Sequence, residues 1–283
     1  MFSIIIPSFN NLKYLKSTIN SLKKNTAQKY EIIVHVNEGS DGTIEYLKTE
    51  NILFSWSKNN IGLCSAINKG VKLSKYKYIV YSHDDCYFCP SWDKVLINEI
   101  DILDHNKFYF SCSLVEYNSG HIKFDCGRDL ENFNEEKFLK NYKNLNFYDH
   151  QGSHWSPLCV HIEMWNKVGG FSEEFNPGIG SDPDFNMKLW NNGVRIFKGI
   201  NDFKVYHFAS LTTRKNIEVV QNRGDNTFLK KWGFTIKFFK RFYMRTNEKY
   251  DGPLKQPLKN ISFYLNLFIC KIKLIYINFL KND

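Results

Sequence analysis

The sequence predicts an α/β fold with a mostly parallel central sheet flanked by helices and a helical, basic C-terminal tail. Three observations predict it. Apolar β-branched runs alternate with helix-period segments over residues 1–100, the pattern of successive βαβ units. Each apolar run ends in a cluster of polar residues. The whole excess of positive charge falls beyond residue 227.

Residues 3–7, Ser-Ile-Ile-Ile-Pro, read as a buried strand closed by proline. Asn10 or Asn11 then caps a helix on which Leu12, Leu15, Ile19 and Leu22 recur at helical spacing. A second strand over 31–36 runs into Asn37-Glu38-Gly39-Ser40-Asp41-Gly42-Thr43, turn chemistry leading to another helix start. A third strand covers 53–56, and a helix after Gly62 carries Leu63, Ala66, Ile67 and Val71. The fourth, 78–81, ends at Ser82-His83-Asp84-Asp85. Residues 101–150 are less regular. Order returns with a helix near 161–168, then Gly180-Ser181-Asp182-Pro183-Asp184 opening another, which Asn191-Asn192-Gly193 closes. Two late strands are expected over 194–197 and 204–207. Parallel sheets bind ligands at the carboxyl ends of their strands, and the polar clusters at 8–10, 37–38, 59–60 and 83–85 all fall there.

The 283 residues include 43% apolar and 16% aromatic side chains, ample for a large core and incompatible with a disordered or fibrous chain. The net charge of +9 invites a nucleic-acid reading. Residues 228–283 hold 12 Lys/Arg against three acids, so residues 1–227 are neutral overall and that reading loses its footing. The organisation expected is a main domain over 1–227, followed by the tail. Seven cysteines, an odd number at irregular spacing, predict a reduced, cytoplasmic setting. The N-terminus lacks a basic stretch and a long apolar run, so no signal peptide is expected. The segment 261–280, interrupted by Lys271 and Lys273, is not clean enough to predict a membrane span.

Four groups could carry chemistry. Adjacent Asp84 and Asp85 repel each other, and either a hard cation offsets that cost or they form a solvated acidic turn. Asp182 before Pro183 is either a helix cap or a rigidly held general base. His207, at the end of a late strand, is a structural residue or a further metal ligand beside Asp85. Cys86-Tyr87-Phe88-Cys89 has no second pair at zinc-site spacing, and Pro90 spoils a redox helix start.

Together these segments resemble a family 2 glycosyltransferase of the GT-A fold. Residues 3–10 look like its first strand and donor loop, and 36–43 its second-strand motif. Asn60-Ile61-Gly62 with Ala66 and Asn68-Lys69-Gly70 resembles the next segment, and His83-Asp84-Asp85 stands at the D-x-D-type metal motif. Residues 168–175 and 180–184 resemble the acceptor-side signature. The resemblance spans about 3–210 and implies a catalytic domain over 1–227, with a nucleotide-binding half (1–100) and an acceptor half (101–227). It implies that Pro7, Ser8, Asn10, Glu38, Asn60, Asn68 and Asp84 line the nucleotide-sugar pocket, with a UDP-sugar the first candidate. It implies that Asp85, helped by His207, binds Mn²⁺ or Mg²⁺. Asp182 would deprotonate the acceptor hydroxyl of a glycan or lipid-linked acceptor in an inverting displacement, with Trp155 and Asp184 on the acceptor side. Three departures stand out: Glu38 for the usual Asp, His83 for Asp or Asn, and Ser181 for the acid preceding the base. They leave open whether Asp182 or Asp184 is the base, and they keep a rival reading in play, a GT-A-like module that binds nucleotide-sugar or glycan without catalysis.

The tail reads as a basic amphipathic helix, with Lys237, Lys240, Arg241 and Arg245 on one face and Ile236, Phe238, Phe239, Phe242 and Tyr243 on the other. Such a helix either lies on an anionic membrane at the inner leaflet or packs its aromatic face on the catalytic domain. The apolar segment after it could equally form an oligomer interface.

Overall fold

The computed structural model describes residues 1–208 and 217–279; the ends of the expected tail beyond 279 lie outside the described residues. The first half is built as the sequence predicts: β1 (Phe2–Phe9), α1 (Leu12–Asn25), β2 (Tyr30–Asn37), α2 (Thr43–Thr49), β3 (Leu53–Ser57), α3 (Leu63–Val71) and β4 (Tyr78–Tyr81). Next come β5 (Cys86–Phe88), α4 (Trp92–Asp101), β6 (Phe108–Glu116), β7 (Ile122–Lys123), α5 (Glu135–Asn141), β8 (His150–Gln151), β9 (Leu158–His161), α6 (Ile162–Val168), α7 (Ser181–Asn191) and β10 (Ile196–His207).

One sheet holds the strands in the order β3-β2-β1-β4-β9-β6-β10-β5, with β7 beside β6 and β8 beside β10. β1 pairs in parallel with both β2 and β4, β2 with β3, and β6 with β10. β9 is antiparallel to β4 and β6, so β1, β2, β4, β6 and β10 all point the same way. Their carboxyl ends therefore share one edge. Where two late strands are expected, β10 is continuous, its register on β6 shifting between Ile200 and Lys204.

Alternate residues of β1 feed opposite faces of the sheet, as the two-residue strand period requires. Phe2, Ile4 and Ile6 join Leu15, Ile19 and Leu22 of α1 in one core; Ile5 joins Ile67, Phe171, Phe185 and Trp190 in the other. Gly70 brings α3 close to β1: a Cβ there would meet Ile5 Cγ2 at 2.6 Å. No side chain larger than hydrogen fits that crossing.

The expected caps differ. Asn11 stands at the N-cap of α1 without capping it. The Leu12 amide donates instead to Asp41 Oδ2 at 2.7 Å, which ties the second motif to the first helix. α7 starts at Ser181, two residues earlier than a capping Asp182 would allow. Gly180, at φ +87°, is the N-cap. Asp182 and Pro183 sit inside the first turn, where proline's missing N–H has no helical partner to lose.

The C-terminal stretch folds back on the sheet and its flanking helices. The boundary expected at 227 falls inside α8 (Ile217–Trp232). Phe228, Leu229, Phe234, Phe238, Phe239, Met244 and Leu254 belong to the same core as Phe171 and Trp190. The amphipathic helix is a single turn, α9 (Ile236–Phe239), followed by a π-helical turn over Lys240–Met244. Its aromatic face packs against the domain. α10 (Ile261–Phe279) buries Phe263 and Cys270 and leaves most of its apolar surface exposed. Among the described residues it is one helix long and apolar enough to cross a membrane, despite Lys271 and Lys273.

Candidate active site

The shared carboxyl edge gathers the polar clusters. Ser8 Oγ donates to Asp84 Oδ2 at 2.6 Å and Asn11 Nδ2 to Asp84 Oδ1 at 3.0 Å, so the end of β1 holds the first aspartate after β4. Thr18 of α1 fixes the backbone there, donating to the Asp84 carbonyl and accepting from the Cys86 amide. Asn10, at φ +46°, accepts from the amides of Gly39 and Ser40 and donates to Glu38 Oε2 at 3.2 Å. The Glu38 carbonyl accepts from Trp56 Nε1 at 2.7 Å. Pro7, Ser8, Asn10, Glu38 and Asp84 thus converge. Asn60 and Asn68 do not join them: Asn60 caps its own turn at the Gly62 amide, and both ends of the Asn68 amide bind the backbone of Phe171. Asn68 locks α3 to the glycine loop.

Beyond Asp84, one donor atom each from His83, Asp85 and His207 lies within 4.8 Å of the others. β10 delivers His207 because it pairs with β5, placing His207 opposite Cys86. His207 Nε2 is 3.4 Å from Asp85 Oδ1, and Glu116 Oε1 holds its Nδ1 at 2.7 Å. A carboxylate behind the imidazole is the arrangement that orients metal-binding histidines. Two imidazoles and a carboxylate suit a first-row divalent cation, and these residues fit one. Burial would lower the His207 pKa, but Asp85 and Glu116 raise it to about 10. Burial, with the Asp85 charge second, raises the Asp84 carboxyl against the pull of Ser8 and Asn11.

Asp182 occupies a different place. It lines a cleft of about 870 Å³ with His154, Trp155 and the C-terminal residues Lys237, Lys240 and Arg241. Trp155 is set by its indole N–H on the Cys112 carbonyl at 3.0 Å and by stacking on His150. Burial raises the Asp182 carboxyl to about 7, with Lys240 pulling the other way. A carboxyl there can take up or release a proton near neutrality. Asp184, two residues on, is fully buried and saturated: it accepts from Ser172 Oγ at 2.7 Å and Trp232 Nε1 at 2.9 Å and pairs with Lys231 at 2.9 Å.

Sequence reading missed His83 as a donor atom, Glu116 behind His207, Trp56, and the cations around Asp182. Trp56, 51% exposed at the end of β3, had a signal in its position after an apolar run. Lys240 had none, because only the chain's return places it near Asp182.

A model of glycosyl transferase family 2 matches residues 3–155. The chain belongs to this family. An uncharacterized glycosyltransferase of Rickettsia typhi is 30% identical over 217 residues, 72% of this chain and 62% of that protein. Chondroitin synthase of Escherichia coli is 24% identical over 224 residues, 76% of this chain and 30% of the synthase. The chain thus spans less than two thirds of these relatives. The fold is that of S. aureus TarS 1–349, solved in complex with UDP, at a TM-score of 0.56 and 17% identity, covering 84% of this chain and 74% of that one. The sheet and its flanking helices are those of a GT-A glycosyltransferase.

Proposed function

We propose that this family 2 member is an inverting, metal-dependent glycosyltransferase. It moves a sugar from a nucleotide-sugar, a UDP-sugar first, to a glycan or lipid-linked acceptor in surface-polysaccharide assembly. The observation that carries the reading is the separation of two acid groups across one cleft-bearing edge. Asp84, Asp85, His83 and His207 form a donor-side cluster, and Asp182 stands apart on the acceptor side. A UDP complex of TarS and the chondroitin synthase likeness support the donor and pathway class.

In this reading Ser8, Asn10, Glu38 and Asp84 hold the nucleotide, with Trp56 beside the base. Mn²⁺ or Mg²⁺ held by His83, Asp85 and His207 would neutralise charge growing on the departing diphosphate. The Asp182 carboxylate takes the proton from the acceptor hydroxyl as that oxygen bonds to the anomeric carbon. The bond to the diphosphate oxygen breaks on the opposite face, so configuration inverts in one displacement. Asp184 holds α7 in place for Asp182 to act. The exposed apolar face of α10, with Lys271 and Lys273, supports a seat on the anionic inner face of the cytoplasmic membrane.

The test is thermal stabilisation of the full chain by UDP-sugars, GDP-sugars and free UDP, with and without Mn²⁺. Metal-dependent stabilisation by a nucleotide-sugar is expected. Its absence for every donor overturns the reading. Binding without turnover on any acceptor leaves the non-catalytic binding module.

A further inference from the structure

The cleft around Asp182 is chemically mixed. Its lining combines aromatic side chains, Trp155 and His154, with three cations, Lys237, Lys240 and Arg241, of which Lys240 lies near enough to His154 to lower its pKa. A saccharide ring stacks on an indole through its C–H face, and ammonium and guanidinium groups bond an ionised substituent on that ring more strongly than a neutral hydroxyl.

Two other lysines, the buried Lys198 and the exposed Lys231, each have their charge met by two carboxylates. Lys198 lies 2.7 Å from Glu99 and 2.8 Å from Asp149. Lys231 lies 2.6 Å from Glu174 and 2.9 Å from Asp184. Arg245, at the lip of the same cleft, is taken up by Glu248 and Asp251. Among the described residues, Lys237, Lys240 and Arg241 lack a carboxylate within 4.0 Å. Arg241 reaches the hydroxyl of Ser262 at 3.5 Å. Asp182 and Asp225 are near enough to Lys240 to raise its pKa, yet burial outweighs them and lowers it. The cost of holding Lys240 charged is thus not offset within the chain. The cleft also holds Asp182, Asp225 and Glu248; Glu248 is taken by Arg245, which leaves Lys237, Lys240 and Arg241 as its cations without a contact ion pair among the described residues. The cleft, about 870 Å³, is of small-molecule size.

We infer that the acceptor is an anionic saccharide, whose phosphate or carboxylate seats against Lys237, Lys240 and Arg241 while a neighbouring hydroxyl meets Asp182. The inference rests on the transferase reading and names the chemistry of its acceptor. The anion would complete the charge balance of Lys240, and the guanidinium and ammonium groups supply the charge-assisted hydrogen bonds it needs. The ring lies on Trp155, and the aromatic and cationic groups together fix which hydroxyl faces the base.

The test uses the full chain saturated with UDP and Mn²⁺, so that the donor side is occupied. Methyl glucoside, glucuronate and glucose 6-phosphate are titrated by NMR. An anionic probe should bind at least about tenfold more tightly than the glucoside, and the better of the two anions identifies carboxylate or phosphate. The Lys237→Met/Lys240→Met double variant should lose that preference while binding UDP–Mn²⁺ as the parent does. Lys237→Met/Arg241→Met, both at the exposed rim, repeats the test without touching a half-buried residue, and Lys240→Arg should retain the preference. Equal binding of all three probes overturns the inference, as does a preference that survives both double variants. Weakened UDP–Mn²⁺ binding in these variants also overturns it, assigning the cations to the donor diphosphate. If UDP–Mn²⁺ does not bind the parent chain, the transferase reading fails instead, and the anion preference is then measured without nucleotide.

Discussion

The two ends of the site treat their carboxylates in opposite ways. At the proposed donor end, hydrogen bonds immobilise them: Ser8 and Asn11 hold Asp84, and His207 with Ser119 holds Glu116. At the proposed acceptor end, among the described residues, no hydrogen bond reaches the Asp182 carboxylate, and its pKa is set by burial and by Lys240. The same helix repeats the contrast over two residues, since Asp184 is saturated. A group that positions a ligand gains from fixed partners. A group that must take a proton needs a free lone pair and a pKa near the working pH.

Four changes would break or sharpen that contrast. Asp85→Ala should have the largest effect, abolishing Mn²⁺-dependent nucleotide binding and lowering turnover by about three orders of magnitude. Calorimetry with UDP and Mn²⁺ checks the first part. Asp182→Asn should leave UDP binding intact and lower transfer by about 10²–10⁴-fold. It should also stabilise the protein in a pH-dependent way. The folded carboxyl holds its proton up to about pH 7, above its ordinary value of 3.8. Stability of the parent is therefore fullest below pH 4 and falls as pH rises through 7, and the amide removes that loss. Thermal melts should show the variant gaining on the parent by about 1 kcal/mol or more at pH 8 and nothing near pH 4.

Asp184→Asn should behave the other way. It removes the buried charge that Ser172 and Trp232 donate to and one of the two carboxylates on Lys231, costing about 1–3 kcal/mol in denaturant unfolding. An Asp184→Asn variant that stays fully stable yet loses transfer would reassign the base. Lys240→Met should be mildest. Lys240 lowers the Asp182 pKa, so its removal should move the acidic limb of the pH–rate profile upward, by under about one unit. An unmoved limb would mean that the titrating group is not Asp182.

The first βαβ units were legible because local patterns there agree with tertiary needs. Ile4, Ile5 and Ile6 alternate between two cores, and Leu15, Ile19 and Leu22 fall on one stripe of α1. Parallel pairing then sends every strand end to one edge, so Ser8, Asn37 and Asp84 could be grouped before any coordinates. The caps were misread at Asn11 and Asp182 because Asp41 and Gly180 do that work, one of them from across the edge. Asn68 was misplaced for a similar reason: its amide fits a backbone pair 103 residues away.

The sequence by itself determined the first four parallel strands, their shared direction and the identity of the acids, since these follow from periods of two and 3.6 residues and from which side chains ionise; it did not show β6 and β9, which join the two halves of the sheet. Only the tertiary structure decided what surrounds each acid. Glu116 and His207 meet across β6 and β10, and Lys240 reaches Asp182 because the chain beyond 227 returns to cover the core. The positive charge that seemed to belong to a separate tail lies in part along the cleft. A pKa depends on neighbours in space, and spacing along the chain does not reveal them.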